Sequence, residues 1–248
     1  MSDDCNQRYV VRNACTSEDM RAALALRATC FRQGADDSDA WDDLCTHIIV
    51  EDAGRVVCTF RMLFFENGTD VAKSYAAKRY DLSNLSKFEK PMIEVGRFCI
   101  CPSITDPDVL RTAWAALTRM VDENAVGLLF GCSSFTGTDV HNFKDAFAVL
   151  QHRHLAPDSW HVSAKGDSVA LADAASSQLD RKSANAQMPA LLKTYLSMGG
   201  WVSDHAVLDH DLGTTHVFTA VEIAAIPPAR ARALRQIANS LPQTAADD

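Results

Sequence analysis

The sequence predicts an α/β fold built on a mixed sheet, and two observations carry this prediction. Apolar residues alternate or recur at helical spacing in the order strand–helix–strand–strand–strand–helix–strand–helix, an irregular stretch, then helix–strand–strand. The last two strand patterns, WVSDHAVLD and THVFTAVEI, are joined through the short link HDLG, which favours antiparallel pairing. With 248 residues, the chain is long enough to bury a substantial core.

The first half of the chain supplies four strand patterns and two helix patterns. A strand is predicted over 8–14, and Thr16 or Ser17 caps a helix that runs to about Phe31. HIIVED and RVVCTFRMLFF form a hairpin, after which residues 66–91 are mixed and polar with room for a short strand. The stretch IEVGRFCICPSITDPDVLRTAWAALTRM begins as a strand and ends as a helix, with Asp106 as N-cap and Pro107 as first helical residue.

The second half continues the alternation around one irregular stretch. GLLFGCSSF reads as a buried strand, and a helix is predicted from Asp139 to about His152. Residues 154–187 show little periodicity, and the helix in MPALLKTYLSMGG stops at its glycine pair. We predict one domain over 1–226, with a C-terminal helix and flexible tail over 227–248.

Composition excludes several functional classes. A net charge of −8 argues against a general nucleic-acid binder, and no segment has the roughly 20 apolar residues of a membrane-spanning helix. The start, MSDDCNQRYVV, lacks the pattern of a secretory signal, and the eight cysteines form no Cys-x-x-Cys pair. We therefore expect a cytoplasmic chain with reduced thiols. No metal site is predicted, because His152-x-His154 lacks further ligands at zinc-like spacing.

Two ionisable residues interrupt the apolar strand at 93–100. Glu94 and Arg97 cost free energy in a core strand unless they are paired or used. Positions that differ by three point to opposite faces of a regular strand, so a simple mutual pair requires a bulge. Their presence indicates either separate structural ion pairs or a functional cleft.

A family resemblance is distributed over most of the chain. The motifs that carry it, in order, are LRATCF, DAWDDLCTHIIVED, TFRM, EVGRFCICP, LFGCSSFTGTD, RHLAP and MPALLKTYLSMGGWV followed by DLGTTHVF. In these motifs the sequence resembles the ornithine N-acyltransferases that use acyl-carrier-protein thioesters, and more distantly the acyl-homoserine-lactone synthases. The resemblance implies a GNAT-like fold: a mixed, mostly antiparallel central sheet flanked by helices and splayed between its fourth and fifth strands (93–100 and 127–135).

The resemblance also implies a reaction, in which an amine attacks an acyl thioester. Glu94 is the candidate general base, directly or through a water, and Arg97 is its catalytic companion. Candidate substrate-binding residues are Arg27, Phe31, Asp39, Asp42, Arg61, Ser133 and Ser134. The arginines suit either a substrate carboxylate or a structural network with Asp39 and Asp42, and the two aspartates suit equally the second amine of ornithine. Tyr195, Ser133 and Ser134 remain alternatives as proton donor to the leaving thiolate.

The segment after the fourth strand bears on the acyl donor. Many GNAT acetyltransferases have a glycine-rich loop there that cradles a pyrophosphate, whereas this chain has PSITDPDVLR, with no glycine. Acyl carrier protein is therefore the expected donor, and no cofactor is expected beyond its phosphopantetheine arm. Candidate donor-binding residues are Phe98, Cys99, Ile100, Arg111 and Arg119. Lys73, Lys78 and Arg79, or Lys144 and Arg153, are candidate docking surfaces for this acidic partner.

The expected activity is transfer of a 3-hydroxyacyl chain to the α-amine of L-ornithine, which gives lyso-ornithine lipid. An acyl-homoserine-lactone or other N-acyl amino acid synthase is the alternative enzyme, and an acyl-carrier-protein-binding module without catalysis is the alternative class. The lipid product implies peripheral contact with the inner face of the membrane.

Overall fold

A computed structural model describes residues 8–241 of the chain. Contacts divide them into two compact units. The first unit contains the described residues up to Leu63, Val95–Asn124 and those from Pro228 onward. The second contains Phe64–Glu94 and Ala125–Pro227.

Helices and strands alternate as the apolar pattern predicts. The strands are β1 (Tyr9–Asn13), β2 (Thr46–Asp52), β3 (Arg55–Phe65), β4 (Tyr80–Asp81), β5 (Met92–Ile100), β6 (Leu128–Thr136), β7 (Ser163–Ala164), β8 (Ser168–Ala170), β9 (Trp201–Val202), β10 (His205–Asp209) and β11 (Thr214–Glu222). The helices are α1 (Ser17–Phe31), α2 (Pro107–Glu123), α3 (Lys144–Arg153), α4 (Leu171–Ala174), α5 (Arg181–Gln187), α6 (Ala190–Ser197) and α7 (Pro228–Ser240).

The first unit combines strands β1, β2 and most of β3 with helices α1, α2 and α7. β1 pairs antiparallel with β2, and β2 with β3. Helix α1 begins in a capping box, in which Thr16 accepts a hydrogen bond from the Asp19 backbone N–H and Asp19 accepts one from that of Thr16. Helix α2 begins as predicted, with Asp106 as N-cap and Pro107 in the first turn. Helix α7 packs on α2, where Arg119 donates to the last carbonyls of α7.

The second unit is organised around a long antiparallel pair. β6 and β11 pair from Leu128↔Glu222 to Thr136↔Thr214, and β10, β8 and β9 extend the sheet from β11. On one face, Phe135 and Val217 join a core with Phe147 of α3 and Leu192 of α6. On the other face, Phe130 and Phe218 stack with ring centroids 5.9 Å apart.

Strand β5 runs parallel to β6, in contrast to the antiparallel pairs. Parallel pairing covers Met92↔Leu128, Ile93↔Leu129 and Glu94↔Phe130, and ends there in the described residues. The predicted fold class, a mixed and mostly antiparallel sheet with flanking helices, is confirmed.

Three stretches differ from the sequence prediction in detail. The run WVSDHAVLD is two strands, β9 and β10, separated at Ser203 and Asp204. The Ser203 N–H still donates to the Phe218 carbonyl, whereas the Phe218 N–H donates to the Ser203 hydroxyl, which itself donates to the His205 carbonyl. Residues 66–91 contain three 3-10 segments, Gly68–Lys73, Ala76–Lys78 and Ser83–Lys87, beside the short strand β4. Within 154–187, the structure adds the short elements β7, β8, α4 and α5.

Candidate active site

A buried cluster of arginine and aspartate side chains lies in the first unit. Its members are Arg27, Arg32, Arg61, Arg97, Asp37, Asp39 and Asp42, here named the arginine–aspartate cluster. Arg27 comes from α1, Arg61 from β3 and Arg97 from β5, whereas the three aspartates come from the connection after α1. Arg27 is 1% exposed, so its charge is compensated by these carboxylates rather than by water.

Asp37 is the carboxylate that links most of the guanidiniums. Its Oδ2 accepts from Arg27 Nε at 2.9 Å and from Arg97 Nε at 2.8 Å. Its Oδ1 accepts from Arg32 Nε at 3.1 Å, and its backbone carbonyl accepts from Arg27 at 2.6 Å. The side chain is wholly buried. Because one carboxylate accepts hydrogen bonds from three guanidiniums, Asp37 joins α1 to β5.

Asp39 and Asp42 complete the cluster around Arg61. The Arg61 guanidinium donates to Asp39 Oδ1 at 2.5 Å and to Asp42 Oδ1 at 2.6 Å. Asp42 also accepts from Arg27 at 2.6 Å, and Asp39 accepts from Arg97 at 3.2 Å. The structure therefore brings together the three predicted arginines and both predicted aspartates. Asp39 is the most exposed carboxylate of the set, at 20%, so it is the one that a cationic ligand reaches most easily.

The ionisation of the cluster follows from these contacts. Burial raises the pKa of Asp39, but the Arg61 guanidinium outweighs it, and the pKa lies below its ordinary value. Burial also opposes ionisation of Asp42, yet hydrogen bonds from Arg27 and from the Asp39 N–H lower its pKa to about 2. Burial lowers the pKa of His47, whose Nε2 lies 3.0 Å from the Asp42 carbonyl oxygen. Asp39 and Asp42 are therefore ionised and His47 is neutral at pH 7.

The depressed pKa of Asp42 predicts an acid-dependent loss of stability. Asp42 stabilises the folded state above its ordinary pKa of 3.8, and this contribution disappears as the pH falls through about 2. Across this range, Asp42 should make the wild-type free energy of unfolding fall by up to about 1.4 kcal/mol for each pH unit of acidification. Urea unfolding of Asp42→Asn should not show this part of the pH dependence. Equal slopes in the two proteins would show that Asp42 is not the titrating group.

Arg97 has an unusual backbone conformation. Its φ is +52°, in the left-handed region that a non-glycine residue enters at a cost. This distortion breaks the regular alternation of β5, so the side chains of positions 94 and 97 no longer follow simple strand geometry. The Arg97 guanidinium lies 5.9 Å from the ring centroid of Phe31, which places this predicted residue beside the cluster. Backbone strain of this kind is common at functional sites.

Glu94, by contrast, belongs to the second unit and is 5% exposed. Its Oε2 accepts the Tyr75 backbone N–H at 2.8 Å, and its Oε1 accepts that of Ala76 at 2.7 Å. These bonds hold the start of the 3-10 segment Ala76–Lys78 against β5. The two backbone donors therefore hold the Glu94 carboxylate in one orientation.

The other predicted residues are distributed over both units. In the second unit, Ser133 is buried on β6, whereas Ser134 is exposed opposite His216. Tyr195 is buried on α6, and burial raises the pKa of its phenol. Arg79 pairs with Asp209, and Lys73 pairs with Asp70.

In the first unit, the predicted donor-binding residues lie outside the arginine–aspartate cluster. The Phe98 ring stacks on that of Phe60 with centroids 5.2 Å apart, and the next residue, Cys99, is buried. The Ile100 carbonyl accepts from the Cys30 thiol at 3.6 Å. Arg111 pairs with Asp108, and Arg119 binds the end of α7. Arg111 and Arg119 therefore lie outside the arginine–aspartate cluster.

Sequence reasoning missed several buried polar groups. Asp37 and Arg32 were not among the candidates, since nothing in the acidic stretch GADDSDAWDD distinguishes Asp37 from Asp36. In the second unit, the fully buried Tyr80 donates to the His216 carbonyl at 2.9 Å, and its hydroxyl lies 2.9 Å from His216 Nδ1. Burial lowers the pKa of His216 to about 4, so it is neutral at pH 7. A buried tyrosine–histidine pair has no local sequence signature.

Hydropathy provides one further observation. Among the helices of residues 8–241, none is both long and apolar enough to cross a bilayer.

Similarity to known proteins identifies the family. The family model described as an acetyltransferase (GNAT) domain matches residues 21–115. The L-ornithine N(alpha)-acyltransferase of Rhodobacter capsulatus is 30% identical to this chain over 237 residues, which are 88% of this chain and 91% of that protein. This chain belongs to the L-ornithine N(alpha)-acyltransferase family. The family member of Brucella abortus is 29% identical over 201 residues, covering 77% of this chain and 71% of that protein.

Solved structures agree with the acyltransferase family at the level of fold. FeeM, an N-acyl amino acid synthase from uncultured soil microbes, superposes with a TM-score of 0.52 at 11% identity and covers 88% of this chain and 93% of its own. BjaI, a CoA-dependent acyl-homoserine lactone synthase, superposes with a TM-score of 0.51 at 10% identity. The match covers 95% of this chain and 90% of BjaI. Both place the chain among GNAT-like folds, which confirms the predicted resemblance.

Proposed function

We propose that this chain transfers an acyl group from a thioester to the α-amine of L-ornithine and so forms lyso-ornithine lipid. The observation that carries the proposal is the similarity to the Rhodobacter capsulatus L-ornithine N(alpha)-acyltransferase over 88% of this chain. The buried carboxylate of Glu94 and the arginine–aspartate cluster supply chemistry that suits an amine, a carboxylate and a second cationic group.

Glu94 acts as the general base in this proposal. The ornithine α-amine is protonated in water and must lose a proton before its nitrogen attacks the thioester carbonyl. Glu94 accepts that proton, directly or through a water, while the hydrogen bonds from Tyr75 and Ala76 fix its carboxylate. The nitrogen then bonds to the carbonyl carbon, the C–S bond breaks, and the departing thiolate takes up the proton that the new amide nitrogen loses.

The backbone of β5 beyond Glu94 is the proposed oxyanion site. Parallel pairing with β6 includes Met92, Ile93 and Glu94, and Phe98, Cys99 and Ile100 follow at the carboxyl end of the same strand. Their backbone N–H groups would stabilise the negative charge that develops on the thioester oxygen.

The start of α2 supports acyl carrier protein as the donor. Asp106 accepts hydrogen bonds from the Asp108 N–H at 2.9 Å and from the Tyr9 hydroxyl at 2.8 Å. A carboxylate thus already occupies the helix N-terminus, where GNAT enzymes that use CoA bind pyrophosphate. A pantetheine arm on acyl carrier protein avoids this repulsion, and no other cofactor enters the proposed reaction.

Asp39 is the proposed contact for the side-chain amine of ornithine. It is partly exposed and ionised, whereas Asp37 is closed off by three guanidiniums. Peripheral contact with the cytoplasmic membrane face fits the lipid nature of the product.

A direct assay tests the function. Purified protein is incubated with 3-hydroxyacyl carrier protein, or with the matching acyl-CoA, and an equimolar mixture of amino acids that includes ornithine and lysine. Mass spectrometry should show α-N-acyl-ornithine as the main product, with acyl carrier protein as the preferred donor. A product on another amine would replace ornithine as the substrate. Absence of any product from folded protein would favour the non-catalytic binding module.

A further inference from the structure

Four cysteines of the first unit gather around the contact between α1 and the end of β5. Cys30 lies on α1, Cys99 lies near the end of β5, Cys101 directly follows β5, and Cys58 lies on β3. Cys30 packs on a small apolar cluster formed by Leu26, Cys99 and Cys101. Its side chain thus lies beside that of Cys99, and its thiol donates to the carbonyl of the next residue, Ile100, at 3.6 Å. Neither thiol belongs to the proposed acyl-transfer chemistry.

The two thiols have unequal exposure and acidity. Cys30 is partly exposed, whereas Cys99 is 7% exposed. Interaction with the Cys99 thiol lowers the pKa of Cys30, while interaction with Cys30 and burial raise the pKa of Cys99. Oxidation-sensitive cysteines are accessible, have a lowered pKa and lie next to a second thiol, and Cys30 combines these properties.

We propose that Cys30 and Cys99 form an oxidation site, in which a hydroperoxide converts the two thiols into a disulfide between α1 and β5. The Cys30 thiolate attacks one peroxide oxygen, the O–O bond breaks, and Cys30 becomes a sulfenic acid. The Cys99 sulfur then attacks the Cys30 sulfur, and the departing hydroxide takes the Cys99 proton and leaves as water. Overall, two thiols and one hydrogen peroxide give one disulfide and two waters.

The position of this bond ties it to the arginine–aspartate cluster. Arg27 lies one helical turn before Cys30 on α1, and Arg97 lies two residues before Cys99 on β5. Both guanidiniums bind Asp37. The disulfide therefore covalently joins the two elements that Asp37 joins by hydrogen bonds.

Thiol mapping after oxidation tests the proposal. The full-length protein is treated with a slight excess of hydrogen peroxide, alkylated under denaturing conditions and digested without reductant. We expect a loss of about two alkylatable thiols per chain and a linked pair of peptides that contain Cys30 and Cys99, both reversed by dithiothreitol. Cys30→Ser should lose the linked peptide and keep Cys99 alkylatable. Cys15→Ser, which removes an exposed thiol, should leave it unchanged.

Three results would overturn the proposal. One is a peptide that links Cys30 to Cys58 or Cys101 instead, although Cys101 already contacts Ser103 and Arg55. Another is a Cys30 sulfinic acid with Cys99 still alkylatable. The third is full alkylation of both residues after treatment, which would show that the pair does not react. Because the readout is thiol chemistry, it does not depend on the acyltransferase assay.

Discussion

Glu94→Gln is expected to lower kcat/KM for acyl-ornithine formation by about 10²–10⁴-fold, the usual contribution of a general base. Glutamine preserves the size of the side chain and one carbonyl oxygen, but it cannot accept the amine proton. Its NH₂ group must also face the backbone N–H of Tyr75 or Ala76, where Glu94 has an accepting oxygen. That mismatch costs about 1–3 kcal/mol of stability, which a domain of this size tolerates. Initial rates with saturating donor measure the effect.

Stability and catalysis are separated by a matched pair of variants. Glu89→Gln removes an exposed carboxylate of the second unit and should change neither the rate nor the urea midpoint. For Glu94→Gln, the free energy of unfolding from urea titration gives the folded fraction by which the rate is corrected. If the corrected rate stays within about tenfold of wild type, Glu94 only holds the segment at 75–76, and the base is another group.

The sequence predicted those features that depend on local patterns or on simple charge balance. The start of α2 at Asp106 and Pro107 follows from two residues with strong preferences at that position. Arg27, Arg61 and Arg97 suited either a substrate carboxylate or a structural network with Asp39 and Asp42, and the structure contains that network. Their association in the structure reflects the cost of an unpaired buried charge.

The remaining features depend on contacts between residues far apart in the chain. The 3-10 segment after Tyr75 is held by hydrogen bonds to Glu94, so the sequence of the segment alone does not predict it. At the break between β9 and β10, the Ser203 hydroxyl accepts a hydrogen bond from the Phe218 N–H of β11. Asp37 and Asp36 are adjacent and chemically identical, and only the folded chain turns one inward to Arg27 and the other outward to Ser38.

Asp37→Asn is expected to destabilise the protein by about 3–5 kcal/mol, the usual cost of removing one partner from a buried ion pair. The substitution is nearly isosteric, so it creates no cavity. It removes the charge shared by Arg27, Arg32 and Arg97, and it turns an NH₂ group toward one of these donors. Water cannot compensate, since the side chain is wholly buried. Urea unfolding at pH 7 measures the loss as a lower midpoint.

Asp36→Asn provides the control for Asp37→Asn because it makes the same chemical change one residue earlier. Asp36 is exposed and binds only local groups of Ser38 in its described hydrogen bonds, so its loss should stay within about 0.5 kcal/mol. A double variant, Asp37→Asn with Arg97→Gln, removes one of the stranded guanidiniums and should recover part of the stability. If Asp37→Asn and Asp36→Asn are equally mild, Asp39 and Asp42 compensate the arginines by themselves, and Asp37 does not link α1 to β5.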